Sequence, residues 1–124
     1  MPVVDLCVRA SVRRYQTLET VDPSAGSGRI VALDDATGDV LWDRRLPQPV
    51  FSCATVSNDV VFTATFDGTV YGLAVDDGRT LWSVRLHAGT NACPSVAGDM
   101  LVIGAGVPLD DESALEVAAF RLAE

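Results

Sequence analysis

One histidine, three cysteines and a few clustered carboxylates and arginines hold whatever chemistry this chain could do. His87 is the sole imidazole and could act as a base near neutral pH. Cys7, Cys53 and Cys93 form no CxxC pair and no CxxCH, and their odd number leaves at least one thiol without a partner in the chain. Asp110, Asp111 and Glu112 could offer oxygens to a hard cation, but their spacing matches no calcium loop, and a solvated acidic loop is expected. Arg9, Arg13 and Arg14 flank Tyr15 and could hold an anion; pairing with surface carboxylates is expected instead. No Ser-His-Asp arrangement, phosphate loop or metal-ligand spacing occurs, so no catalytic residue and no metal-ligand set is assigned.

These residues are mounted on a repeat. Gly28 to Trp42 reads GRIVALDDATGDVLW, and Gly68 to Trp82, 40 residues on, reads GTVYGLAVDDGRTLW. In register, Gly28, Leu33, Gly38, Leu41, Trp42, Arg45, Leu46, Cys53, Val56 and Asp59 all recur at that offset. A period near 40 with short strands and one Trp per unit predicts the blades of a β-propeller. Strand patterns rich in Val, Thr, Phe and Leu cover 3–8, 29–34, 39–46, 51–56, 60–66, 69–75, 79–86, 92–96, 100–105 and 115–122. Between them stand Asn58-Asp59, Asp67-Gly68 and Gly98-Asp99, pairs that tolerate the positive φ of tight hairpins. Gly38 and Gly78 end slightly longer turns. Chained hairpins mean an antiparallel, all-β meander of four-stranded blades.

The expected division is a partial blade at 1–46 with a long loop over 9–28, a complete blade at 47–86, and a partial blade at 87–124. That makes about two and a half blades. A closed propeller needs at least four, so the expectation is either a portion of a longer protein or copies that meet to close a ring. Irregular segments at 9–27, 47–50, 87–91 and 106–113 all fall on one face of such a propeller, and the stretch 24–28 (SAGSG) reads as flexible. Ligands are expected there, because function concentrates on long loops carried by a rigid scaffold. His87, Asn91 and Asp67 are the candidate cofactor contacts on that face. Cys53 and Cys93 hold equivalent places on innermost strands of adjacent blades. They are expected to lie beyond the Cα separation of about 7 Å that a disulfide tolerates, and to serve as small buried apolar side chains. Trp42 and Trp82 fall on outermost strands. Each ring is expected to lie across the joint between neighbouring blades, with its N–H on a backbone carbonyl and room left by Ala32 or Gly72. Each burial is worth about 2 to 3 kcal/mol.

Composition narrows the partners. The chain is 48% hydrophobic and 21% charged, with a net charge of −8 and every basic residue an arginine. Phosphate binding needs clustered cations, so nucleic acid is excluded as an expected partner. No apolar run approaches the 18 or so residues of a membrane span, and residues 1–10 lack the pattern of a signal peptide.

Ala32, Asp34, Thr37, Gly38 and Trp42 spell A-x-D-x-x-T-G-x-x-x-W, and Gly72, Gly78 and Trp82 keep a weaker second copy in which Ala74 and Asp77 replace the Asp and Thr. This resembles the repeat of pyrroloquinoline-quinone-type, or quinoprotein-like, propellers, here as a C-terminal portion. The resemblance covers most of the chain from Gly28 onward. It implies one of two roles. Some members are alcohol-type dehydrogenases that bind the quinone and calcium; others keep the blades without the cofactor and act as interaction platforms. The vicinal cysteine pair of many such alcohol dehydrogenases is absent from this sequence. The resemblance also suggests an extracytoplasmic location. The expected function is a binding scaffold with no catalysis carried by this segment alone. The alternatives are a portion of a quinone-dependent dehydrogenase and a partial propeller that closes by self-assembly. Expected partners are the remaining blades of a parent chain, further copies of itself, or another protein.

Overall fold

A computed structural model describes residues 2–8 and 26–122. Every regular element among them is a strand: β1 (Pro2–Val8), β2 (Gly28–Asp34), β3 (Val40–Leu46), β4 (Thr55–Ser57), β5 (Val60–Ala64), β6 (Thr69–Ala74), β7 (Thr80–Arg85), β8 (Ser95–Ala97), β9 (Met100–Ala105) and β10 (Glu116–Arg121). They form three antiparallel sheets, β1-β2-β3, β4-β5-β6-β7 and β10-β9-β8. The architecture is that of a partial β-propeller, in which the described residues supply three strands of the first blade, four of the second and three of the third. Arg9, Arg13, Arg14 and most of the 9–28 loop lie outside the described residues.

Alternation along each strand builds two cores, one at each joint between blades. Ile30, Ala32, Trp42 and Leu46 of the first blade meet Val50, Val61 and Leu73 of the second. On the opposite face of the second blade, Ala64, Val70, Leu86 and Ala88 meet Leu101, Ile103 and Ala105 of the third. Nearly all of these side chains are fully buried, and a fully buried Val, Leu or Ile contributes about 1.5 to 3 kcal/mol.

The repeat is also a repeat of backbone geometry. Gly38 N–H donates to Asp34 O at 2.7 Å and Gly78 N–H to Ala74 O at 2.8 Å; both glycines have φ near +76°, which a side chain would resist. A register shift, marking a bulge, falls between Ala32 and Leu33 in one blade and between Gly72 and Leu73 in the next. The bulge lets the outer strand re-enter register after the turn.

The two tryptophans behave differently. Trp42 is 8% exposed; its Nε1 donates to Val75 O at 2.7 Å, and a Cβ on Gly78 would come within 2.6 Å of its ring. Arg44 reinforces the same joint, donating to Gly78 O at 3.0 Å and Thr80 Oγ1 at 2.9 Å. Trp82 is 37% exposed and lies edge-to-face with Phe120, with centroids 5.2 Å apart. The expected pin is therefore complete at Trp42 and half made at Trp82. Among the described residues, no turn covers Trp82 as the Gly78 turn covers Trp42. Gly72 does not make room for the Trp82 ring either: a Cβ there would touch Phe62 and Val60 at 3.4 Å.

The inner strands are shorter than expected, at three residues each rather than 51–56 and 92–96. The residues just upstream spend their hydrogen bonds between blades instead. Ser52 Oγ donates to Ala92 O at 2.7 Å, and Thr55 Oγ1 to Pro94 O at 2.7 Å. Pro94 itself has no N–H to give a ladder.

Three surface carboxylates couple this geometry to pH. Backbone N–H groups of Ala36 and Thr37 hold the Asp34 carboxyl below its ordinary value of 3.8. The Arg79 backbone N–H, then its guanidinium, does the same for Asp77, and the His87 backbone N–H, then its ring, for Glu116, whose ordinary value is 4.5. Folded values lie below unfolded ones, so the stability these groups contribute is complete above the ordinary values. It is lost as pH falls through the depressed ones. Urea midpoints are expected to hold from pH 7 to 5 and to drop below about pH 4, with Asp34→Asn flattening part of that drop. A profile unchanged by Asp34→Asn would contradict the assignment.

Candidate functional site

The irregular segments on the loop-bearing face are laced into one surface by backbone hydrogen bonds. Phe66 N–H donates to Pro49 O at 2.7 Å, and Thr90 N–H to Phe66 O at 3.2 Å. Gly89 and Val107 exchange bonds of 2.8 and 3.0 Å, and Ala114 N–H donates to His87 O at 2.9 Å. Segments 47–50, 66–68, 87–91 and 106–114 thus form a continuous rim across the second and third blades. Phe51 and Phe66 meet edge to face within it, 5.4 Å between centroids. Gly68 is fixed by this lacing: its φ is +92°, and a Cβ would collide with Ala88 O.

The singled-out residues that fall among the described ones have definite places. Asp67 caps its own hairpin: one carboxylate oxygen accepts from Thr65 Oγ1 at 2.6 Å and Thr69 N–H at 3.2 Å, and the other from Thr69 Oγ1 at 3.2 Å. Burial, with the Asp67 charge adding to it, pushes the nearby Tyr71 phenol up. His87 is exposed, and its Nδ1 lies 3.1 Å from both oxygens of Glu116. Glu116 was not singled out in the sequence, because it lies 29 residues away on the first position of β10. Asn91 is exposed on the same rim. Asp110 organises its own loop, accepting from Glu112 N–H at 2.9 Å and Ser113 Oγ at 3.2 Å.

The cysteines overturn one expectation. Cys53 and Cys93 are joined in a disulfide with Cα atoms 4.7 Å apart, and both residues are exposed rather than buried. The bond ties the inner rim of the second blade to that of the third, beside the Ser52 and Thr55 bridges. Blades fan outward from an axis, so equivalent positions converge at the inner strands and diverge at the outer ones. At that rim the separation, 4.7 Å between Cα atoms, falls within the disulfide range.

Quinone and calcium chemistry can be tested against these side chains. Calcium takes six to eight oxygen ligands. Among the described residues no three His, Cys, Asp or Glu side chains come together as a metal site, and both oxygens of Asp67 are already engaged. The described residues do not fit a calcium centre by themselves. Nor is any helix among them long and apolar enough to cross a membrane.

Radial blades, a Trp pin at the joint and the A-x-D-x-x-T-G-x-x-x-W turn define a quinoprotein-like β-propeller. The family model described as outer membrane protein assembly factor BamB matches residues 15–124. The chain belongs to that family, whose repeats are of the pyrroloquinoline-quinone type. It is 36% identical over 58 residues to outer membrane protein assembly factor BamB of Nitrosomonas eutropha, covering 47% of this chain and 14% of that one. It is 32% identical over 85 residues to quinoprotein alcohol dehydrogenase PedH of Pseudomonas putida, covering 61% and 14%. The crystal structure of BamB from Moraxella catarrhalis superposes with a TM-score of 0.56 at 26% identity, over 66% of this chain and 28% of that one. The chain thus spans about one seventh of the length of these curated relatives.

Proposed function

We propose that this chain is a section of a quinoprotein-like propeller that works as a binding scaffold and presents its laced loop face to a protein partner, with no catalysis carried by these residues alone. Residues 1–46, 47–86 and 87–124 act as its successive blade units. The observation that carries this reading is the state of the polar groups on that face. Asp67 is consumed by its own hairpin and His87 is paired with Glu116, while the backbone beneath them is fixed by bonds between loops. A surface of that kind offers shape and exposed side chains such as Asn91 and His87, not a convergent set of ligands. The name of the matched family points the same way, toward assembly of outer-membrane proteins. An extracytoplasmic location, as for the quinoprotein-like resemblance, is supported by the disulfide, since such bonds persist in oxidising compartments.

The similarity to an alcohol dehydrogenase supports the second reading, in which these blades belong to a quinone-dependent enzyme. Titration with pyrroloquinoline quinone and calcium, followed by dye reduction with alcohols, separates the two. The scaffold reading expects neither saturable quinone binding nor dye reduction, by this chain or by a longer form carrying further blades. Saturable binding with alcohol-dependent dye reduction by the longer form would overturn it.

A further inference from the structure

Cys53 and Cys93 stand apart from the ladders. Each lies in irregular backbone just before an inner strand, β4 or β8, and each is exposed. A cross-link buried in an apolar joint is shielded from thiols in solution. This one faces water, and exposed disulfides are the labile ones. The bond is also bracketed. On one side of it Ser52 Oγ donates to Ala92 O at 2.7 Å, and on the other Thr55 Oγ1 donates to Pro94 O at 2.7 Å. Ala92 and Val96, to either side of Cys93, pack on the core between the second and third blades. Cleavage of the S–S bond therefore leaves two sulfurs at a joint that is fastened independently on both sides and beneath.

We infer that the Cys53–Cys93 pair is a thiol–disulfide exchange site for dithiols, which opens and closes again within the folded protein. A thiolate of the dithiol attacks Sγ of one cysteine; a mixed disulfide forms as the Cys53–Cys93 bond breaks, and the other cysteine leaves as a thiolate that takes a proton from solvent. The second thiolate of the dithiol then attacks the mixed disulfide, closing the reductant into a cyclic disulfide and releasing the first cysteine, which is protonated in turn. Two electrons pass from dithiol to protein, and two protons follow. The bracket selects the reagent. Held beside the mixed disulfide, the freed protein thiol acts at high effective concentration and expels a monothiol, restoring the original bond. A dithiol resolves the same intermediate intramolecularly and so competes. The inference is independent of whether the complete protein is a platform or a dehydrogenase.

The test follows opening of the bond in the full chain by dithiothreitol, with alkylation of freed thiols and mass spectrometry as the readout. The rate is expected to be first order in dithiothreitol and flat across urea concentrations below the unfolding transition, because attack on an exposed sulfur needs no unfolding. A rate that climbs steeply with urea over that range would overturn the inference. After removal of the reductant, oxidised dithiothreitol is expected to restore Cys53–Cys93 alone and to leave Cys7 free; comparable pairing of Cys7 with either partner would count against a bracketed pair and overturn it. With 2-mercaptoethanol at equal thiol concentration the bond is expected to stay closed, and accumulation of the mixed disulfide would contradict the selection of dithiols. The variant Ser52→Ala/Thr55→Val removes the bracket without touching either cysteine. Its ratio of closed to open pair in a dithiothreitol buffer is expected to fall about tenfold, and an unchanged ratio would show that the bracket does not hold the sulfurs together.

Discussion

Trp42→Ala is expected to cost about 4 kcal/mol, and Trp82→Ala only about 1 kcal/mol, although the two residues hold the same place in successive repeats. Trp42 belongs to the core between the first two blades, packed with Ile30, Leu46, Val61 and Leu73. Truncation there leaves a cavity that rigid strands on both sides close poorly. It also strands the half-buried Val75 carbonyl, which accepts the indole N–H at 2.7 Å, and a partly desolvated acceptor left without its donor adds its own penalty. Trp82 is already 37% exposed and packs edge-to-face with Phe120. Such a pair is worth about 0.5 to 1.5 kcal/mol beyond the area it buries. Equilibrium urea unfolding of both variants measures the difference directly. Equal losses would mean that the joint between the second and third blades is as complete as the first, contrary to the geometry described.

What was legible in the sequence was whatever the repeat states more than once. The Asp34-to-Gly38 turn, the shared Trp position and the in-register identities each appear twice at an offset of 40, and each corresponds to a repeated backbone feature. Relations between units were harder to read. The equivalence of the two cysteines suggests distance, when at the inner rim of radial blades it means proximity. His87 and Glu116 escaped pairing because the third blade leaves the period. Phe120 stands 47 residues after Leu73, not 40, since the 106–115 connection is longer than its counterpart at 65–68. That longer connection also supplies Val107 and Ala114, whose bonds to Gly89 and His87 stitch the loop face together. Trp82 shows the limit of periodic reading. Its identity matches Trp42, but burial depends on the neighbour that follows, and a single residue type carries no record of its neighbour.

Breaking the Cys53–Cys93 bond is expected to lower stability by about 4 kcal/mol, because the bond closes a loop of 40 residues and so restricts the unfolded chain. The loop contains β4 to β7, the whole second blade, and its closure fastens that blade to the third at the rim where the ladder is shortest. Without the bond, the inner joint relies on the Ser52 and Thr55 side-chain bridges, each worth about 1 kcal/mol net. Urea unfolding of the oxidised chain against the same chain in dithiothreitol, and against the Cys53→Ala/Cys93→Ala variant, measures the loss. The two reduced forms are expected to agree with each other. Thiol titration of the denatured, unreduced chain should find one thiol, Cys7, where reduction exposes three. Three thiols before reduction, or a stability change below about 1 kcal/mol, would show that the two blades are held at their inner edges by packing and hydrogen bonds, with no help from the cross-link.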